Sequence, residues 1–158
     1  MEKEQFTKRI TEIEADMFHL AFSILHREQD CLDAVQEAVI KAYTGRDALR
    51  KPDYFKTWVM RILLNECYAL LRRQKRLLPM EEQMLDLQAD FGNYVREEYL
   101  DLYRAIDALR EKDRICVLLY YIEDYSIREI AQIMGMPEGT IKSRLRRARL
   151  QLRDMLKD

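Results

Sequence analysis

The densest set of hydrogen-bond donors in the 158-residue chain lies between Pro137 and Arg153, where Lys142, Arg144, Arg146, Arg147, Arg149 and Arg153 stand against one acid, Glu138. An arginine guanidinium is a planar fork of five N–H donors that fits paired acceptors on a phosphate or a base edge, whereas a lysine is a mobile point charge. Thr140 and Ser143 add hydroxyls to the same stretch. The chemistry on offer is noncovalent recognition of a polyanion. A basic run is usually a solvated helix face, so its meaning depends on the elements that position it.

Those elements are legible in YSIREIAQIMGMPEGTIKSRLRRARLQLRDML. Ser126 followed three residues later by Glu129 forms a capping box and starts a short helix. Gly135 ends that helix, and Pro137 suits the first turn of the next. Ala131, Gly135 and Ile141 fall where a helix-turn-helix needs a small contact residue, a turn glycine and a branched apolar lock. On the second helix Ile141, Leu145, Ala148, Leu152 and Leu156 make one buried stripe, which leaves the cations on the outer surface. In such a helix the first turns meet base edges and later arginines reach phosphates. Thr140, Lys142, Ser143, Arg144 and Arg147 are the candidate base readers of duplex DNA, and Arg146 and Arg149 the candidate backbone contacts.

A second arrangement lies in YFKTWVMRILLNECYALLRRQKR. At helical pitch Phe55, Val59, Ile62, Leu63, Cys67, Leu70 and Leu71 form a core side, while Trp58, Arg61, Asn65, Tyr68, Arg72 and Arg76 follow the opposite side. Aromatic rings stack on unpaired bases while cations hold the strand, so this face suits melted DNA. The competing account is that Trp58 and Tyr68 cover core edges and that Arg72, Arg73, Lys75 and Arg76 favour the negative end of the helix dipole. A third stripe, Asp30, Asp33, Gln36 and Glu37, lies on the preceding helix. Asp30 is placed to cap it and Asp33 to support its dipole, while Gln36 and Glu37 are left to face either solvent or a basic partner.

Charge balance says little: 27 basic residues nearly cancel 28 acidic ones. With 4 glycines and 3 prolines, and apolar residues recurring every three or four positions, the chain reads as all-α. The spacing predicts helices over about 3–27, 30–43, 53–75, 95–109, 111–123, 126–133 and 137–156. The stretch LLPMEEQMLDLQADFGN, with Glu81, Glu82, Asp86 and Asp90, is the natural linker; it divides the chain into domains over 1–77 and 95–158 with a linker over 78–94. Cys31, Cys67 and Cys116 lack metal or redox spacing and read as buried thiols. The charged, amphipathic N-terminus and the lack of a bilayer-length apolar run lead to the expectation of a soluble, cytoplasmic protein without membrane insertion.

In order along the chain, D-x-x-D-A-x-Q-E, then F-K-x-W-x-x-x-I-x-x-N with R-R-x-K-R, then S-x-x-E-I-A-x-x-M-G-x-P-x-G-T-I-K-S-R-L-x-R-A-R resemble the extracytoplasmic-function sigma factors of bacterial RNA polymerase. The C-terminal motif, Gly139 to Arg149, is the most specific of the three. The resemblance implies a sigma-2-like three-helix domain and a sigma-4-like helix-turn-helix domain joined by a flexible linker. It further implies that Asp33, Gln36 and Glu37 dock on core RNA polymerase, at the clamp helices of its largest subunit. The segment from about Thr44 to Lys56 and the helix after it would capture unpaired bases of the downstream promoter element. Residues Glu138 to Arg149 would read the upstream promoter DNA as duplex. An anti-sigma factor would cover these faces until a signal arrives. Two positions depart from the family pattern: Val39 stands where Phe is common, and Ala69 where Asp is common.

Two other readings compete with this one. A simple helix-turn-helix regulator needs only the C-terminal motif and leaves the stripe of Trp58, Arg61, Asn65, Tyr68 and Arg72 without a use. An enzyme is disfavoured: the chain has only two histidines, His19 and His26, no Ser–His or Cys–His signature and no glycine-rich phosphate loop. No metal or cofactor is expected.

Overall fold

The computed structural model describes residues 1–77 and 97–157, except for the side chains of Lys75, Arg76, Leu77 and Glu97. The proposed linker over 78–94 lies outside the described residues. Seven α-helices are present among those described: α1 (Lys3–Leu25), α2 (Glu28–Thr44), α3 (Phe55–Leu77), α4 (Leu100–Asp107), α5 (Glu111–Val117), α6 (Ile127–Met134) and α7 (Glu138–Met155). The chain divides into two compact units, the first carrying Met1–Leu77.

In the first unit α1, α2 and α3 pack on one another in all three pairings. Their shared core holds Met17, Leu20 and Ile24 of α1 and Val59, Met60, Leu63, Leu64 and Cys67 of α3, all buried. From α2 come Ala34, Ala38 and Ala42, small residues four apart that keep its inner side flat enough for close approach. Phe6 meets Tyr43 edge-on at 5.2 Å and Phe55 at 5.9 Å, tying the start of α1 to the end of α2 and the start of α3. Arg9 strengthens that corner: it lies 5.5 Å from the Phe55 ring centre and donates to the Pro52 carbonyl at 2.8 Å.

The first helix boundary falls two residues earlier than periodicity indicates. His26 takes a left-handed φ of 62° and donates its N–H to the Phe22 carbonyl, ending α1 at Leu25. Helix α2 then starts at Glu28, so Asp30 lies inside its first turn and is not its cap. Asp30 instead accepts a 2.6 Å hydrogen bond from Gln74 of α3. The tertiary partner, invisible to local spacing, gives this carboxylate its role.

In the second unit α5 packs against α7, and α4 against both. Ile106, Ile115, Val117, Leu118 and Leu119 are buried here with Ile141, Leu145 and Ala148 of α7. The outer end of the expected α7 stripe departs from this pattern: Leu152 is only part-buried, and Leu156 is 42% exposed because α7 stops at Met155. The helix expected over 111–123 changes pitch after Val117, and Leu118–Ile122 form a π-helical turn closed by Glu123 N–H on the Leu118 carbonyl at 2.9 Å.

The capping box forms as the sequence indicates: Glu129 N–H donates to Ser126 Oγ at 3.1 Å, and Ser126 N–H donates to Glu129 Oε1 at 3.0 Å. Gly135 closes α6 with φ 66°, a conformation costly for residues bearing a Cβ. Pro137 stands one position before α7, not within its first turn. Ser126→Ala removes one partner of the box and is expected to cost about 1 kcal/mol of stability, read as a lower denaturant midpoint at unchanged m-value. An unchanged midpoint would show that the cap is dispensable.

Candidate nucleic-acid interface

Packing of α7 on α5 buries Ile141, Leu145 and Ala148 and turns the remaining faces outward. Lys142, Ser143, Arg146, Arg147 and Arg149 are exposed, and Thr140 and Arg144 are part-buried. Ser143 Oγ donates back to the Gly139 carbonyl at 3.0 Å. Arg149 donates to the Tyr121 hydroxyl at 3.1 Å, which ties it to the end of the π-helical turn. Gly139, Thr140, Ser143, Arg144 and Arg147 line a polar recess of about 260 Å³ at the start of α7. A Cβ added at Gly139 would meet nothing within 4 Å, so this chain's own packing does not require the glycine.

Two of the candidate readers converge on a residue the sequence did not single out. Asp113 of α5 is fully buried. Arg144 Nη1 donates to its Oδ1 at 3.0 Å, and Arg147 grips it side-on, Nε to Oδ2 at 3.2 Å and Nη2 to Oδ1 at 2.9 Å. Burial by itself would raise the Asp113 pKa, but hydrogen bonds and charge from Arg147 and Arg144 outweigh it and hold the carboxyl below the usual carboxylate range. A depressed acid contributes stability above its ordinary pKa and loses it only as pH falls through the depressed value. The cluster therefore stays ionised across the neutral range. In sequence, Asp113 sits in REKDR and looks like one more solvated charge; only the approach of α5 to α7 shows otherwise.

In the first unit, burial of Val59, Leu63 and Cys67 sets the opposite side of α3 outward. Arg61, Asn65 and Arg72 on that side are exposed, while Trp58 and Tyr68 are part-buried. Trp58 leans on Phe55 with ring centres 6.4 Å apart, so part of its surface belongs to the core edge and part faces out. The Arg76 side chain lies outside the described residues. Before α3 the chain makes two short 3₁₀ turns, Arg46–Ala48 and Pro52–Tyr54. Arg46 stacks 4.0 Å over the Tyr43 ring and donates to the carbonyls of Tyr43 and Met1 at 2.7 and 2.9 Å. Tyr54, beside Lys51, remains exposed.

The α2 face presents Asp33, Gln36 and Glu37, all exposed. Asp33 accepts from Gln29 of the same helix at 3.0 Å. Leu32 and Ile40 are also exposed there, an apolar pair flanking Gln36 at steps of four that the acidic pattern had hidden. Farther round, Lys41 pairs with Glu66 of α3. The cysteines take no part in these faces: all three are buried, and burial pushes the thiol pKa of Cys31 to about 12, with Asp30 adding to it, and that of Cys116 to about 11. Such thiols remain protonated and unreactive at neutral pH. Among the described residues no helix is long and apolar enough to cross a membrane.

Family comparisons agree with this geometry at both ends of the chain. Residues 10–77 match the Sigma-70 region 2 family and residues 99–152 match Sigma-70, region 4. The chain is 33% identical to the RNA polymerase sigma factor SigV of Bacillus subtilis, over 94% of this chain and 92% of that protein. It is 33% identical to the ECF RNA polymerase sigma-E factor of Escherichia coli, over 76% of this chain and 70% of that protein. Among solved structures it resembles the sigma factor RpoE of Bartonella quintana, crystallised with the anti-sigma factor NepR, with a TM-score of 0.73, 25% identity and 98% of each chain covered. With a region 2 unit carrying α1 to α3, a region 4 unit carrying the helix-turn-helix, and relatives matched along nearly the whole length, the chain belongs to the extracytoplasmic-function sigma factors, which direct bacterial RNA polymerase to initiate transcription.

Proposed function

We propose that this sigma factor divides promoter reading between its two units, the region 4 unit taking the upstream element as duplex and the region 2 unit taking the downstream element as melted DNA. The observation that carries the proposal is the segregation of exposed groups. Helix α7 exposes the cations Lys142, Arg146, Arg147 and Arg149 with the hydroxyl of Ser143 among them, while α3 exposes Arg61, Asn65 and Arg72 beside the part-buried rings of Trp58 and Tyr68. A helix with donors along one face fits a major groove, whose base edges offer a full donor and acceptor code. A mixed aromatic and cationic face gains most from bases that are unstacked. Open space at Gly139 supports close approach of a backbone to the start of α7.

In the same reading α2 docks on core polymerase through Asp33, Gln36 and Glu37, with Leu32 and Ile40 supplying apolar contact. An anti-sigma partner in the cytoplasm covers these surfaces; the Bartonella quintana relative was crystallised with such a protein. Run-off transcription from a pool of genomic promoters, with purified core polymerase and either the wild-type chain or Arg146→Ala, tests the division. Discrete transcripts that require the chain are expected. Arg146→Ala, as loss of a phosphate contact, is expected to weaken all promoters alike and to lower the salt slope of binding by about 1. Equal transcripts from the wild type and Arg146→Ala at every salt concentration would instead leave α7 without the duplex contact assigned to it.

A further inference from the structure

The buried carboxylate beneath the recognition helix has a use beyond holding α5 to α7. We propose that Asp113 is a positioning residue for promoter discrimination: it locks Arg144 and Arg147 so that the helix presents a guanidinium of fixed orientation. This inference rests on the reading of α7 as the duplex-binding helix.

The two arginines are held differently. Arg147 spends its side edge, Nε and Nη2, on the two Asp113 oxygens. Of its five N–H donors this leaves the end edge, Nη1 with the second Nη2 hydrogen, which has the spacing of a paired acceptor such as the O6 and N7 of guanine. Its side chain is still 49% exposed. Arg144 reaches the same carboxylate through Nη1 and is only 25% exposed, so it braces the carboxylate more than it faces outward. A free arginine on a surface samples many rotamers and finds phosphates as readily as bases. Held by two hydrogen bonds to a buried anion, Arg147 has lost that freedom before DNA arrives, so a mismatched base gains no alternative contact from it. Asp113 also cancels one positive charge beneath the helix, which lowers attraction to DNA of any sequence.

Two opposite consequences follow from removing the carboxylate alone. In Asp113→Asn the shape is kept, but the amide offers one acceptor and one donor, so the bidentate grip on Arg147 is broken. Holoenzymes assembled from the full-length wild type, Asp113→Asn and Arg147→Lys are to be titrated against promoter fragments in which each upstream-element base pair is replaced singly, and against a scrambled fragment. Asp113→Asn is expected to lose about fivefold or more of the discrimination at one base pair, with affinity for scrambled DNA unchanged or raised. Arg147→Lys keeps the charge and leaves Asp113 paired with Arg144, but it removes the planar fork that grips the carboxylate and faces the base, and is expected to lose about tenfold at the same base pair. A residue needed only for folding predicts otherwise: Asp113→Asn would weaken every fragment equally and leave the ratios untouched, and that result, or Arg147→Lys retaining full discrimination, overturns the inference. A wild-type holoenzyme indifferent to all upstream substitutions overturns the assignment of α7 itself, a failure distinguishable because it needs no variant.

Discussion

Truncating Trp58 and Arg61 together to alanine is expected to weaken binding of the holoenzyme to a single-stranded downstream-element oligonucleotide by about 100-fold, since stacking contributes roughly 1–3 kcal/mol per base and the cation adds to it. Both residues stand on the side of α3 opposite Val59 and Leu63, Arg61 exposed and Trp58 part-buried against Phe55. Trp58 also covers a core edge, so Trp58→Phe with Arg61 intact serves as a control that keeps an aromatic face. Fluorescence anisotropy with the oligonucleotide reads the strand contact directly. Run-off transcription on a template with a premelted bubble then separates capture from opening: a defect that persists on the bubble lies in holding the strand. Equal binding by wild type and double variant would remove melted DNA from the role assigned to α3.

The second large effect concerns the inner side of the same helix. Leu63 is fully buried in the core of the first unit, and Leu63→Ala is expected to cost about 2–5 kcal/mol, lost transfer energy plus the cavity left behind. Against a typical total of roughly 5–15 kcal/mol, that is enough to make transcription temperature-sensitive. At low temperature the outward groups of α3 keep their positions, and activity is expected to return. Parallel thermal unfolding and run-off assays at two temperatures check this. Loss of transcription at low temperature in a variant that remains folded would place Leu63 in function, contrary to its burial. Together the two variants separate the faces of one helix, the outer one proposed to hold DNA and the inner one packed in the core.

Much of this is legible in the sequence. The all-α class follows from apolar residues recurring at helical pitch. The capping box at Ser126 and Glu129 and the glycine stop at Gly135 are local devices, complete within a few residues, and both form as spacing indicates. The split of α3 into a buried side with Phe55, Val59, Leu63 and Cys67 and an exposed side with Arg61, Asn65 and Arg72 is likewise a property of one helix, but Ile62, Leu70 and Leu71, expected in the core, are only part-buried, and Met60 and Leu64 are buried beside the others. Where a neighbour decides the matter, local pattern was insufficient. Asp30 looked like a cap, but the chain turns at His26 and Gln74 of α3 claims its carboxylate.

The same limit governs the cations of α7. Their place on an outer helical face follows from the spacing of Ile141, Leu145 and Ala148, which leaves them nowhere else. Their inequivalence arises from helix packing: α5 brings a buried carboxylate under Arg144 and Arg147, while Lys142 and Arg146 remain outside that cluster. Periodicity records only which way a side chain points on its own helix. What it meets there depends on a partner 31 and 34 residues away in the chain, and a charge pair at that separation leaves no periodic trace.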